Sequence, residues 1–143
     1  MAKRKKATVA QEVEKAAKLL QRYVRLKASD DNGYCQCVTC GKVDHYKAMQ
    51  GGHFIPRTRT ILKLYECNIQ PQCPYCNHWG MSQSHYVLRY REWMVDYYGE
   101  RRVKAMERLA WRTAPKFNRE EVIQFQRELK EKIKEEEYRI GEY

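Results

Sequence analysis

The amino-acid sequence predicts an α+β fold in which a short, cysteine-rich strand region lies between N-terminal and C-terminal helices. Three observations carry this prediction. Apolar residues repeat at helical spacing near the start of the chain, two Cys-x-x-Cys pairs flank a central strand-like stretch, and helical spacing returns after the second pair. With 143 residues, the chain is long enough for one compact domain with an appendage.

The N-terminal part is predicted to be a basic tail followed by an amphipathic helix. Residues 1–7 contain four consecutive Lys and Arg residues, and we assign them to the tail. A helix is expected from Thr8 to about Ala28, because its apolar residues recur every three or four positions. The polar, glycine-containing segment 29–33 then ends this helix.

The central region is predicted to contain a strand over residues 47–55, which Pro56 ends. A second short apolar stretch covers residues 61–65. Two glycines immediately precede His53, at the end of the predicted strand. Because glycine has no side chain beyond hydrogen, another group can approach the backbone closely at this point.

Helical patterning resumes in the C-terminal half. One helix is expected to end at Gly99, and a shorter one covers residues 103–110. Asn118 resembles the N-cap of a last, highly charged helix. We therefore divide the chain after its basic tail into a main domain of residues 8–114 and a C-terminal charged helix within residues 115–143.

Four of the six cysteines predict a structural zinc site. They form the pairs Cys37-x-x-Cys40 and Cys73-x-x-Cys76. Two such pairs in a reducing compartment favour metal binding over disulfides, and four thiolates make a closed tetrahedral zinc site. The remaining cysteines, Cys35 and Cys67, are interpreted as small apolar residues.

The charge of the chain predicts a nucleic-acid partner. The formal net charge is +10, and a surplus of this size is usually balanced by a polyanion. No stretch approaches the roughly 20 apolar residues that a membrane span needs, so no membrane partner is expected. Polar residues follow the basic N-terminus where a signal peptide would be apolar, and we therefore expect a cytoplasmic protein.

The order of these motifs resembles that of the HNH endonucleases, whose ββα-metal motif is held in some members by two Cys-x-x-Cys knuckles. The residues that carry the resemblance are the run Gly52-His53-Phe54-Ile55-Pro56 and the segment from Asn68 to Asn77 that contains the second pair. Together with the first knuckle, Cys37-Val38-Thr39-Cys40-Gly41, they are most similar to the phage NinG (Rap) recombination nucleases. The resemblance covers roughly residues 19–109.

This resemblance implies a zinc-stabilised ββα-metal (HNH) core and a role for each motif residue. His53 would be the catalytic base, since a neutral histidine titrates near the operating pH. Asn68 would tie the loop to the strand and orient the histidine. Asn77 would present a carbonyl oxygen to a catalytic Mg²⁺ or Mn²⁺ ion, although Asn is equally suited to cap a helix.

Two departures from the general HNH pattern leave the ligands of the catalytic ion open. Gly52 stands where many members have an acidic or histidine ligand, and Asn77 replaces the final histidine. A further ligand must then come from elsewhere. The polar residues near these motifs are the candidates, and the sequence does not choose among Asp44, His45, His78 and His85.

Four arginines are the candidate DNA contacts. Arg57 and Arg59 follow the predicted histidine strand and are expected to bind phosphate, because arginine presents paired donors to phosphate oxygens. Arg89 and Arg91 would follow the DNA backbone along a helix, although a solvated charged face is the simpler interpretation.

We expect a metal-dependent DNA endonuclease in the cytosol of a phage-infected bacterium. By resemblance, its substrates would be branched recombination intermediates such as D-loops or Holliday junctions, and a two-fold homodimer would suit a symmetric junction. One alternative is a zinc-finger DNA-binding module without a working nuclease site. Another is a sequence-specific restriction or homing nuclease of the HNH type.

Overall fold

A computed structural model describes residues 2–142, which form an α+β arrangement of five helices and two small sheets. The helices are α1 (Val9–Lys27), α2 (Pro74–His78), α3 (Ser84–Tyr98), α4 (Glu100–Leu109) and α5 (Arg119–Arg139). The strands are β1 (Tyr34–Gln36), β2 (Val43–His45), β3 (Gln50–His53) and β4 (Ile69–Gln72). Within residues 2–142, every helix is too short or too polar to cross a membrane.

Each sheet is a pair of antiparallel strands. In the first, β1 pairs with β2 and places Cys35 opposite Asp44. In the second, β3 pairs with β4 and places His53 opposite Ile69. Strand β3 is shorter than the predicted range 47–55, because the chain turns before it: the amide of Met49 donates to the carbonyl of Tyr46 at 3.3 Å.

The segment that links β3 to its antiparallel partner β4 contains two 3₁₀ turns, Thr60–Leu62 and Glu66–Asn68. The first turn falls in the apolar stretch at residues 61–65 and buries Leu62. Helix α2 follows β4 directly and contacts both strands. Strands β3 and β4 and helix α2 therefore form one compact ββα unit.

Helix α1 begins at a capping box and forms the centre of the molecule. The side chain of Thr8 accepts a hydrogen bond from the amide of Gln11, and the Gln11 side chain accepts one from the amide of Thr8. Because these bonds satisfy donors that the first turn leaves free, they fix where the helix starts. The apolar stripe of α1 then packs against β3, β4 and α5.

Helix α5 lies along α1 and belongs to the same core. It buries Val122, Leu129 and Ile133. Between these apolar contacts, the buried Gln126 side chain donates to both the backbone and the side-chain oxygen of Glu12, each at 2.8 Å. The last helix is thus an integral part of the fold and supports α1.

A second apolar cluster joins α3 and α4 to the ββα unit. Its buried members are Phe54, Leu62, Tyr90, Met94, Val103, Met106 and Ala110. The hydroxyl of the fully buried Tyr90 donates to the carbonyl of Gly52 at 2.7 Å. This bond satisfies a buried polar group and links α3 to the strand that ends in His53.

Candidate metal centre and active-site cleft

The fold brings the four cysteines of the two Cys-x-x-Cys pairs to one point. Cys37 and Cys40 lie in the turn after β1, and Cys73 and Cys76 lie at the start of α2. All four sulfur atoms are within 4.8 Å of one another, and Cys40 and Cys73 are 3.8 Å apart. Sulfurs bound to one tetrahedral zinc at about 2.3 Å would be spaced at about 3.8 Å.

The chemistry of this group fits a zinc ion. Three of its sulfurs belong to buried residues, and Cys40 lies at the edge. Burial, together with the neighbouring sulfurs, raises the pKa of the Cys76 thiol well above its usual value. Four thiolates this close therefore need a cation to offset their charge. Among residues 2–142, this is the one cluster of His, Cys, Asp or Glu side chains grouped closely enough to hold a metal.

A sharp turn shapes the first half of the metal site. The amide of Gly41 donates to the carbonyl of Cys37 at 2.9 Å, and the φ angle of Gly41 is +81°. A residue with a Cβ atom is strained in this left-handed conformation, which explains the glycine after the second cysteine. The turn holds Cys37 and Cys40 so that both sulfurs face those of α2.

His53 ends β3 in a mostly buried position, with 9% of its surface exposed. Its Nε2 atom lies 3.0 Å from the carbonyl oxygen of Lys63. A carbonyl can only accept a hydrogen bond, so Nε2 carries the proton and the lone pair of the neutral ring is on Nδ1. The fold therefore selects the tautomer whose Nδ1 can accept a proton.

The surroundings of His53 keep its ring neutral. Burial, helped by the positive charges of Arg57 and Lys63, lowers the pKa of His53 below its usual value. Glu14 of α1 bridges these two cations: its carboxylate binds Nη2 of Arg57 at 2.6 Å and also the ammonium group of Lys63. The Lys63 hydrogen bond holds the pKa of Glu14 low, so this carboxylate stays ionised beside the histidine.

Asn68 lies fully buried beneath the end of the histidine strand. Its amide group donates to the carbonyls of Ile55 at 3.0 Å and Leu62 at 3.2 Å, and its Oδ1 accepts from the amide of Ile55 at 2.8 Å. These three bonds connect the chain just after β3 to the 3₁₀ turn before Lys63. Asn68 thus positions both His53 and the carbonyl that binds it.

Asn77 lies in α2 and faces β3. Its Nδ2 donates to Oε1 of Gln50 at 2.7 Å, which leaves Oδ1 as a free acceptor on the side of Gly52. The N-cap of α2 is Cys73, so capping does not explain Asn77. The amide oxygen is thus oriented by the strand and is available to a cation.

Gly52 occupies a position that has no room for a side chain. A Cβ atom there would lie 1.7 Å from Oε1 of Gln72 and 3.0 Å from Oδ1 of Asn77. The Gln72 side chain is fully buried and its Nε2 donates to Thr39 at 2.8 Å, next to the cysteine site. The space that a side chain at position 52 would need is therefore filled by a glutamine from β4.

One cleft of about 710 Å³ brings several predicted residues together. His53, Arg57, Asn77 and His78 line this cleft, together with Gln50 and parts of α1 and α3. His85 is not among the lining residues; it lies at the start of α3 with its ring 4.5 Å from that of Tyr86. Of the two histidines considered as extra ligands in α2 and α3, only His78 shares the cleft with Asn77.

The four candidate DNA-binding arginines lie in different environments. Arg57 lines the cleft. The guanidinium of Arg59 lies 4.3 Å from the ring centroid of Trp111, and that of Arg89 lies 5.7 Å from the ring of Tyr86. Arg91 forms a two-pronged ion pair with Glu107 on α4, at 2.8 Å for its shortest distance. Arg91 therefore connects two helices, whereas Arg57, Arg59 and Arg89 are exposed.

Sequence reasoning missed several groups that shape the cleft. The sequence did not indicate which further groups line the cleft or contact its residues, namely Glu14, Gln50, the carbonyl of Lys63 and Gln72. The double glycine before His53 was a usable signal for Gln72, since it indicates that another group approaches the strand. Glu14 and Lys63 gave no signal, because a charged residue in a helix or turn is usually solvated.

The amino-acid sequence was compared with models of known protein families, and one family matches. The family model described as bacteriophage lambda NinG protein matches residues 1–138, which includes α1 and nearly all of α5. The comparisons with curated proteins and with solved structures found no match. Since the matched span covers almost the entire chain, this protein belongs to the NinG family.

Proposed function

We propose that this protein is a metal-dependent DNA endonuclease of the HNH type, with His53 as the catalytic base. The observation that carries the proposal is the state of His53. Nε2 of His53 is hydrogen-bonded to a backbone carbonyl, and burial lowers the pKa of the ring. The residue lines the same cleft as Asn77. Membership in a phage family and the four-cysteine site behind the cleft support the same function.

The proposed reaction is hydrolysis of one phosphodiester bond. Nδ1 of His53 takes a proton from a water molecule, and the water oxygen forms a bond to phosphorus. The bond from phosphorus to the 3′ oxygen breaks, and that oxygen takes a proton from solvent. The products are a 5′ phosphate and a 3′ hydroxyl. Asn68 contributes by fixing the histidine and does not contact the DNA.

Asn77 and His78 are the residues that would hold the catalytic ion. The amide oxygen of Asn77 suits an ion such as Mg²⁺ or Mn²⁺ that keeps several waters and is completed by substrate phosphates. The ion would stabilise negative charge on the phosphate and on the leaving oxygen. The zinc in the cysteine site would instead hold β4 and α2 in place, a structural role.

The proposed substrate is DNA, in particular branched recombination intermediates. The net charge of +10 favours a polyanion, and Arg57 in the cleft can bind phosphate beside the histidine. Contacts of this kind carry no base information, which suits an enzyme that recognises the shape of DNA. The resemblance to phage recombination nucleases suggests D-loops or Holliday junctions, encountered in the cytosol of the host.

A cleavage assay tests this proposal. Purified protein is incubated with linear, supercoiled and branched DNA in the presence of Mg²⁺, Mn²⁺ or EDTA. We expect cutting only with an added ion, preferentially of branched DNA, and its loss in His53→Ala. Gln124→Ala, an exposed truncation on α5 and outside the cleft, is the control and should cut normally.

The outcomes distinguish the alternatives. Equal cutting by wild type and His53→Ala would contradict the role of His53. Salt-sensitive binding without cutting under any condition would favour the zinc-finger module. Cutting of linear duplex at fixed sites, with no effect of branching, would favour a restriction or homing enzyme.

A further inference from the structure

Two large aromatic side chains, one on α2 and one at its C-cap, are stacked at the surface. Tyr75 and Trp79 are one helical turn apart, with ring centroids separated by 6.2 Å and planes inclined by 20°. They are 56% and 63% exposed. Single exposed aromatic residues are common, but a stacked pair that contributes little to the core presents an ordered apolar surface to solvent.

A third ring and a cation extend this surface onto α3. The ring of Tyr86 meets that of Tyr75 edge to face, with centroids 5.9 Å apart. The guanidinium of Arg89 lies 5.7 Å from the ring of Tyr86. We refer to Tyr75, Trp79 and Tyr86 as the aromatic platform. Its edge is positively charged, as expected for a surface that meets an anionic ligand.

The platform adjoins the cleft that contains His53. Trp79 directly follows His78, and the hydroxyl of Ser82 donates to the carbonyl of Trp79 at 2.7 Å. His78 and Ser82 both line the cleft. Tyr75 lies between Cys73 and Cys76, so the metal site also fixes the helix that carries the platform. Two platform residues, Trp79 and Tyr86, are thus next in sequence to residues that line the cleft, His78 and Val87.

We propose that the aromatic platform stacks on unpaired or unstacked bases of the DNA whose backbone occupies the cleft. Every base has a flat π face that can stack on an aromatic ring, whereas bases within an intact duplex stack on their neighbours. Trp79 and Tyr75 supply the rings, and Arg89 supplies a cation for the adjacent phosphate. This inference rests on the proposed nuclease function and gives its preference for branched DNA a physical source.

Binding measurements without added divalent ion test the platform independently of cutting. Fluorescence anisotropy compares a fully paired duplex with a duplex of equal length that contains a short unpaired bulge. Trp79→Ala should weaken binding of the bulged DNA roughly tenfold and that of the paired duplex by less than about twofold, since one stacked base is lost. Trp79→Phe, which retains a ring, should restore most of the affinity.

A fluorescent base in the bulge gives a direct readout of stacking. The emission of 2-aminopurine falls when the base stacks on an aromatic ring, so wild type and Trp79→Phe should quench it and Trp79→Ala should not. The matched control is Tyr97→Ala, which removes the exposed member of another stacked pair, with Trp93, that does not line the cleft. Equal zinc content in all variants would show that α2 is intact.

The results separate failure of the platform from failure of the nuclease. If Trp79→Ala and Tyr97→Ala reduce affinity for bulged DNA equally, the platform is overturned even when His53-dependent cutting is observed. Quenching that depends on Trp79 in a protein that cuts no DNA would support the platform and overturn the nuclease. If the wild type is a dimer and Trp79→Ala is a monomer with unchanged DNA affinity, the surface binds a second copy of the chain. That result would overturn the inference.

Discussion

At the scale of single residues, the hydrogen bond between His53 and the carbonyl of Lys63 determines the chemistry that the cleft can support. It selects one tautomer of a neutral ring, and the buried Asn68 fixes both partners. The cleft is therefore built around a proton acceptor, whose ability to act depends on pH.

We expect the rate of DNA cutting to rise with pH and to level off. The pKa of His53 is lowered because burial disfavours its charged form, so the midpoint should lie below the ordinary histidine value of about 6.5. Below that midpoint His53 is protonated and cannot accept a proton. Initial rates between about pH 4.5 and 8 would measure this. A midpoint above 7, with DNA binding constant over the range, would contradict the assignment.

Gly52 permits a second prediction. Gly52→Ala should destabilise the protein by about 1–3 kcal/mol, because the added Cβ would collide with the Gln72 amide. Urea unfolding of Gly52→Ala, Gln72→Ala and the double variant would measure the coupling between the two positions. The double variant should be more stable than the sum of the single effects predicts. Additive effects on the free energy of unfolding would show that Gln72 does not restrict the space for a side chain at position 52.

The central motifs of the site could be predicted from the sequence because their chemistry is local. Two Cys-x-x-Cys pairs predict a four-sulfur site even when many residues separate the pairs. The double glycine before His53 indicates that another group lies close to the backbone there. The interactions that set the state of His53 are not local. The carbonyl that binds His53 is ten residues away in the sequence, and Glu14 lies in the N-terminal helix α1.

At the scale of secondary-structure elements, the four cysteines connect the turn after β1 to the start of α2. The strands contain only three or four residues each, and α2 has five. Elements this short are unstable alone, so they depend on packing against other elements, such as that of β3 and β4 against α1, and an ion bound to the four sulfurs would add free energy that fixes them.

We expect one zinc ion per chain, and its loss should disorder the cleft. Cys73→Ser should bind less zinc and unfold at lower urea concentration, since three thiolates form an incomplete tetrahedral site. Elemental analysis and urea unfolding would measure both effects. Cys67→Ser is the matched control, because Cys67 is outside the four-sulfur group. Equal zinc content in the two variants would contradict the site.

Helix α5 should stabilise the whole protein through α1. Leu129 is 1% exposed, and Leu129→Ala should cost about 2–5 kcal/mol by removing apolar contacts and leaving a cavity. The neighbouring exposed Lys130→Ala should cost less than about 0.5 kcal/mol. Urea unfolding of both variants would measure the difference. Similar small effects would mean that α5 is detached in solution.

Helical periodicity predicted most elements but not what they contact. The stripe of α5 was visible in the sequence, whereas its partner α1 depends on long-range packing. The aromatic residues of α3 illustrate the difference between spacing and burial. Tyr90 is fully buried, whereas Tyr97, two helical turns later, is 68% exposed although the adjacent Tyr98 packs against the second apolar cluster.

At the scale of the whole molecule, positive charge is the main long-range feature. The chain has 28 basic and 18 acidic residues, which leaves a surplus of ten positive charges. Some of these cations already have an acidic partner: Arg22 binds Glu137 and Arg91 binds Glu107. The number of phosphates that the protein neutralises should therefore be much smaller than its count of basic residues.

We expect the DNA affinity to fall steeply with salt. A plot of log K against log salt concentration should be linear, with a slope of about −0.9 for each phosphate contact on duplex DNA. Arg89→Ala should reduce the slope by about one contact, because Arg89 is exposed and has no acidic partner among its described contacts. An unchanged slope would place Arg89 outside the DNA-binding surface. Gln124→Ala again serves as the control.

The close approach of the cysteine sulfurs also affects how the protein must be handled. Cys40 and Cys73 come from different parts of the chain, yet their sulfurs are only 3.8 Å apart. In protein without a bound ion and exposed to air, these thiols are positioned to oxidise to a disulfide between the turn after β1 and the start of α2. Such a protein would no longer take up zinc until a reducing agent was added, so activity lost during purification should return only when reductant and zinc are supplied together.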